Sequence, residues 1–469
     1  MDIIINFRFF SFTRSISIKR QWIELAIVTA AILASTVISF WGSPVIFMLL
    51  LFLIGFAAVI LALLRQPNLG FILALLGGMF VSYTGPSGLN AGIIMIVLML
   101  GLWILDMFIV RRNFKFVRSQ TMPPVIVFLV VSILSFVIGQ IPWFVFARQA
   151  PLDAQVGGFS VFIFSIGGTL LAAHLIKEIR WLKAIVWIFI GLSAVYVVSR
   201  TINLSGIARL YHFGYISQSM SWTWLIALAF SQFVFNPKLD GRLKWSLLGL
   251  VILTFYIAIF KSEDWKSGWV PPLVAVSVLL GFRYRRYILI GIPFIILMAI
   301  YVTMDLIGAE DYSWGTRLDA WKIILEISRI SPLLGMGFAN YYWYTPLFPI
   351  RGWRVSFNSH SQFVDLIAQT GYIGLLVFLW MFFEFGRLGW KLIKQAPEGF
   401  PQAYAYGVFA GICATLVAAF LGDWVLPFVY NVGLNGFRAS ILPWLFIGGA
   451  ISLEQMLHSG FSSRGDGYT

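Results

Sequence analysis

The side chain best suited to moving a proton at neutral pH is His360, in the run Phe357-Asn-Ser-His360-Ser-Gln362 that leads straight into an apolar segment. An imidazole has an ordinary pKa near ~6.5, so it can take a proton from a hydroxyl group. The chain has four histidines. By the span count below, His174 and His458 fall at or beyond one membrane face, while His360 and His212 share the other. His212 stands three residues from Arg209 and is the fallback base. Arg317, Lys266, Arg200 and Arg209 are on the same face as His360. Cations aimed at developing negative charge in a partly dry site stabilise it. A base and several cations on one face therefore suit a reaction in which a hydroxyl loses its proton and charge builds on a departing group. No cluster of His, Cys and carboxylate has metal-ligand spacing on that face, so no metal is expected. Glu263-Asp264 and Glu310-Asp311 are adjacent pairs that read as solvated or ion-paired.

These residues must be positioned by membrane-spanning helices. Of the 469 residues, 60% are hydrophobic and 11% charged, and the mean hydropathy is +0.88. Water-soluble domains are nearer a quarter charged. The sequence therefore predicts an all-α polytopic transmembrane bundle of about 14 spans, a single integral membrane domain over residues 1–469. Spans are expected near 22–41, 44–64, 68–83, 89–110, 123–140, 158–176, 181–199, 217–236, 245–260, 269–282, 287–306, 362–386, 402–421 and 438–455. The first reads as a span that stays, because the basic leader lacks a small-residue cleavage site. Pro271-Pro272 predicts a broken or tilted helix over 269–282. The lone cysteine, Cys413, excludes an intramolecular disulfide.

The net charge of +14 is mostly topological and gives no support to nucleic-acid binding. Twenty-two of the 33 basic residues fall in short loops, tails or span ends on one face, which the positive-inside rule makes cytoplasmic with both termini. The other eleven face outward, five of them in the loop over 307–361, by far the longest in the chain. Long loops are exempt from the rule, but Arg200, Arg209, Lys261 and Lys266 are in shorter ones. Within the long loop, Thr316-Arg-Leu-Asp319 reads as a capping box. Leu318, Trp321, Ile324 and Leu325 then follow at helical spacing as an amphipathic stripe, and Ser331-Pro332 ends it. Gly335-Met-Gly337 permits a tight turn before Asn340-Tyr-Tyr-Trp-Tyr344, whose aromatics suit a membrane–water interface.

Three linked motifs across this loop carry a resemblance. They are Gly315-Thr-Arg317-Leu-Asp-Ala-Trp321, Ser331-Pro-Leu-Leu-Gly-Met-Gly337-Phe-Ala-Asn340, and Asn358-Ser-His360-Ser-Gln-Phe-Val-Asp-Leu-Ile-Ala-Gln-Thr-Gly371-Tyr-Ile-Gly374. In order and spacing they resemble the signature of the O-antigen ligase and polymerase superfamily. These are bacterial inner-membrane glycosyltransferases of the GT-C type. The resemblance implies transfer of a glycan from an undecaprenyl-diphosphate carrier to an acceptor hydroxyl outside the cytoplasm, with inversion, without metal or other cofactor. The acceptor is a glycan, a lipid or a protein. His360 matches the family's histidine, a general base or acceptor-orienting group. Arg317 matches the loop arginine that would pair with the carrier diphosphate. Lys266, in Trp265-Lys266-Ser-Gly268-Trp269, stands where the family usually has a second arginine. A lysine there supplies a point charge without the planar fork. Arg200 and Arg209 are further candidate ligands of the diphosphate.

Two other readings compete. A transporter of a small anion or solute should carry ionisable groups near the bilayer midplane, whereas Asp106, His174, Glu384 and Asp423 all fall near span ends. A cell-wall polymerase of the SEDS type would want a catalytic acid in the long loop, with Asp311 or Asp319 nearest to that role. Ligase, polymerase and protein O-glycosylation are not separated by the sequence.

Overall fold

The computed structural model describes residues 2–5, 16–19, 29, 44–82, 85, 88–110, 112–113, 115–211, 219–261, 266–284 and 313–459. Among them the chain forms two compact units, residues 1–73 with 95–115, and residues 74–94 with 116–469. In the first, strands β1 (Asp2–Ile5) and β2 (Ile16–Lys19) pair antiparallel. Helix α1 (Pro44–Arg65) follows, then the start of α2 (Asn68–Phe80) and most of α3 (Ala91–Leu105), which continues as a π-turn over Asp106–Val110. Helix α1 exposes apolar side chains along its whole length, including Val45, Met48, Phe52 and Leu61. Such an all-round apolar helix belongs in lipid.

The second unit carries α4 (Met122–Ile138), α5 (Leu152–Leu175), α6 (Ile179–Thr201), α7 (Ser219–Phe235), α8 (Gly241–Tyr256) and α9 (Lys266–Arg283). After these come α10 (Ser313–Ser328), α11 (Asn340–Tyr344), α12 (Gln362–Gln395), α13 (Phe400–Leu421) and α14 (Gly433–His458). Eight of the described helices are long and apolar enough to cross a membrane, so this is a multi-pass membrane protein. Twelve of the expected spans coincide with helices. Those at 22–41 and 287–306 lie outside the described residues, as do His212, Glu263-Asp264 and Glu310-Asp311.

At the paired prolines the expected break is absent. Helix α9 runs unbroken through Pro271 and Pro272. They fall in its second turn, where few upstream carbonyls are left without an amide partner.

Helix α14 is the buried axis of this unit, and α5 packs closely along it. Small residues permit the approach. A side chain at Gly448 would meet the Thr169 carbonyl oxygen at 2.6 Å. The Thr169 hydroxyl donates to the Trp444 carbonyl at 3.1 Å, and Ser452 donates to that of Ile176. Helix α13 packs against α7, α9 and α12, and α12 against α4. The four helices α4, α12, α13 and α14 thus hold the segments that bear the candidate site.

Candidate active site

Helix α12 is opened at Gly371, whose φ of 71° and ψ of −175° break the helical path. Two helical hydrogen bonds are lost there, and the Pro332-Leu-Leu-Gly-Met-Gly337 turn re-partners all four groups. Met336 and Gly337 amides donate to the Ala368 and Gln369 carbonyls at 2.9 and 3.1 Å. Tyr372 and Ile373 amides donate to the Pro332 and Leu333 carbonyls at 2.8 and 3.2 Å. A buried backbone group without a partner is costly, and more so in lipid, so turn and break require each other. Gly335 and Gly371 both have positive φ, and a Cβ on either would run into the backbone of the other segment. The turn is anchored further by Asn340, fully buried, which donates to the Met336 and Gly139 carbonyls at 2.8 Å and accepts from the Ala150 amide at 3.0 Å.

The aromatic run was expected at the membrane interface, and here the structure corrects the sequence. Tyr341 and Tyr344 are fully buried, in a core with Ile324, Ile327, Met336, Val364, Ala368 and Phe428. Tyr341 stacks on Phe428, Tyr342 stacks on Tyr430, and the Trp343 indole donates to the Tyr430 hydroxyl at 2.7 Å. The amphipathic stripe of α10 faces this core through Ile324 and partly through Trp321 and Leu325, while Leu318 is exposed.

The capping-box expectation is also corrected. Helix α10 already runs through Ser313, so Thr316 and Asp319 lie inside it. The Asp319 carboxylate instead pairs with the Arg351 guanidinium at 2.9 Å, a half-exposed pairing that leaves it unsuited to be the acid a SEDS-type reading would need.

His360 sits where the loop meets α12, in the left-handed region at φ 48°. An L-residue is held there only when its surroundings over-determine it, and its two serine neighbours do so. The Trp321 indole donates to the Ser359 carbonyl at 2.6 Å. The Ser359 hydroxyl lies 2.8 Å from both the Ser361 carbonyl and the Asp365 carboxylate, and accepts from the Ser361 amide at 2.9 Å. The Tyr341 hydroxyl donates to the same Asp365 oxygen. Burial and the Asp365 charge push the Tyr341 phenol well above its ordinary range, so it stays a donor.

Helix α13 delivers a second buried acid just past its end. Asp423 accepts from the Phe428 amide at 2.9 Å and from the Asn431 side chain at 2.7 Å. It also interacts electrostatically with both His360 and Arg317. Burial lowers the His360 pKa from its ordinary value, opposed by the Asp423 charge and reinforced by Arg317. Burial raises that of Asp423, opposed chiefly by the Phe428 amide and then by His360. Burial likewise lowers the Arg317 pKa, and Asp423 offsets it; a guanidinium remains charged throughout the physiological range. His360, Arg317 and Asp423 thus form one electrostatic group, with a neutral imidazole at pH 7 able to accept a proton.

The other cations are placed differently. Lys266 begins α9, which packs on α13, the helix leading to Asp423. Arg200 and Arg209 are exposed. The Lys261 ammonium donates to the Arg200 carbonyl at 2.8 Å and to the Asn203 side chain at 2.7 Å, and Arg209 reaches the Ser205 hydroxyl at 3.3 Å.

Of the groups weighed for transport, His174 accepts from the Val117 amide and bonds the Leu170 carbonyl, and Glu384 pairs with Arg387. Both are engaged in local structure. Asp423 belongs instead with His360. Sequence reasoning noted it only as an acid at a span end; its signal was a carboxylate in Gly422-Asp-Trp424 on the face shared with His360. Asp365 and Tyr341 were missed because nothing in their spacing marks them.

No curated protein matches the chain. Residues 215–379 match the family model described as O-Antigen ligase. That stretch contains Arg317, the turn over 332–337, His360 and the break at Gly371. The stretch bearing His360 and Arg317 is therefore similar to the O-antigen ligase family.

Proposed function

We propose that the protein transfers a glycan from an undecaprenyl-diphosphate carrier to an acceptor hydroxyl at the outer face of the bacterial cytoplasmic membrane, with both termini in the cytoplasm. The observation that carries this reading is the shared partnership of His360 and Arg317 with Asp423. Both the imidazole and the guanidinium feel the charge of one buried carboxylate. In the reaction, a ring nitrogen of His360 takes the proton of the acceptor hydroxyl as its oxygen attacks the anomeric carbon. The bond from that carbon to the diphosphate oxygen breaks, and the carrier leaves as polyprenyl diphosphate. Attack from the face opposite the leaving group inverts the anomeric centre. Arg317 meets the charge growing on the diphosphate, where its planar fork suits two phosphate oxygens. Lys266, Arg200 and Arg209 are further candidate ligands of the diphosphate in this reading. Asp423 holds the imidazolium formed during transfer. The activated carrier supplies the energy, and no metal takes part.

His360→Ala should abolish transfer while the protein still accumulates in membranes at the normal level. Glycan transfer retained by that variant would end the base assignment. A deletion strain separates the two family activities: lipid-linked single repeats should accumulate if the protein is a polymerase, and unattached full-length polymer if it is a ligase.

A further inference from the structure

The far end of the bundle from His360 holds a cavity of about 630 Å³. It is walled by α12, α13, α14 and the run 119–121 ahead of α4. Along α12, Arg387 lies roughly 35 Å from the helix start, so this place is separate from the site above.

Its lining sorts into two zones. Phe382, Phe409, Ile412 and Leu416 make an apolar shaft; Phe382 lies about 13 Å up α12 from Lys391. The mouth is ionic. Glu384, Arg387 and Lys391 fall on one helical face, and Glu454 comes from α14. Arg387 donates to both Glu384 oxygens at 2.8 and 3.1 Å, and Lys391 to Glu454 Oε1 at 2.8 Å. Glu454 is 5% exposed, and its Oε2 has no hydrogen-bond partner among the described residues. A buried carboxylate oxygen in that state calls for a donor.

We infer that this cavity binds a glycerophospholipid whose headgroup joins a primary ammonium to a phosphodiester. The mouth carries two cations and two carboxylates, so it offers no net charge to a purely anionic lipid, unlike basic interhelical pockets. A zwitterion answers both halves. Its ammonium donates to Glu454 Oε2, and its phosphate accepts from Arg387, whose side chain is 58% exposed. The Ser119 and Thr121 hydroxyls, 3.0 Å apart, offer further donors beside it. The acyl chains follow the apolar shaft. This inference stands apart from the glycosyl-transfer reading.

The test uses the full-length protein in detergent, delipidated and then given dioleoyl phosphatidylethanolamine, phosphatidylcholine or phosphatidylglycerol. Native mass spectrometry reads the retained lipid. Phosphatidylethanolamine should be retained about tenfold better than phosphatidylcholine, which lacks an ammonium N–H, as one charge-assisted hydrogen bond implies. Glu454→Gln should erase that preference. Equal retention of all three lipids would reduce the cavity to ordinary contact with the bilayer and overturn the inference, and so would a preference for phosphatidylglycerol. An unchanged preference in Glu454→Gln overturns the assignment too. Should that variant fail to elute as a monodisperse peak, Arg387→Gln and the wild-type lipid series decide the matter in the same way.

Discussion

Replacing Asp423 with asparagine keeps the shape of the side chain and removes its charge, which separates its two roles. As a brace, Asp423 accepts from the Phe428 amide and from the Asn431 side chain. An amide keeps one of these bonds and turns an N–H toward the other donor, costing about 1–3 kcal/mol of stability. As an electrostatic partner, Asp423 raises the proton affinity of His360, against burial and Arg317, which lower it from 6.5. The sign follows directly. His360 works as a base when neutral, so activity falls as pH drops through its pKa, and the wild-type acid limb lies below the ordinary imidazole value. Without the Asp423 charge the imidazole holds its proton less tightly. The limb of Asp423→Asn therefore moves to lower pH, and the plateau rate drops by about 10²- to 10⁴-fold, the worth of a correctly supported general base. Transfer from a lipid-linked glycan donor in membrane vesicles, followed from about pH 5 to 9, reads both quantities. A variant within about twofold of wild type, with its limb unmoved or shifted upward, would refute the reasoning. Lower protein levels with an unmoved limb would leave Asp423 a brace and nothing more.

Three further outcomes are expected. Gly371→Ala places a Cβ against the Leu333 carbonyl at a positive φ, and should cost more than about 1–2 kcal/mol, seen as a lower thermal midpoint in detergent. Trp321→Phe removes the indole donor to the Ser359 carbonyl along with part of the ring that packs on the loop core; it should cost at least about 1 kcal/mol and lower kcat more than it raises KM, because it loosens the loop holding His360. Chelation of divalent ions should leave transfer intact, and a loss restored by added ion would contradict the proposed reaction.

The helical bundle was legible because lipid forces long apolar runs: twelve of the expected spans coincide with described helices, eight of which are long and apolar enough to cross a membrane. The glycines of the 332–337 turn and the Gly371 break were legible as motifs, but their mutual docking was not. A lone glycine in a helical pattern says nothing about which distant carbonyls will meet it. The aromatic run misled for a related reason. Tyrosine and tryptophan suit an interface and a loop core equally well, and only the packing against Phe428 and Tyr430 decides between them. Pro271-Pro272 misled because, in the second turn, the pair costs only the bonds to the Ser267 and Gly268 carbonyls and leaves the rest of the helix intact. Asp423 was hidden by distance, since it lies 63 positions after His360 and no local pattern ties a carboxylate to a remote imidazole.

The patched break in α12 bears on how the protein is made. A span that enters lipid with opened hydrogen bonds needs its replacement partners at once. The order of the chain supplies them, because residues 332–337 leave the ribosome before Gly371 does. The turn is thus synthesised before the groups that it re-partners. The segment that precedes the candidate base in the chain also completes the span that follows it.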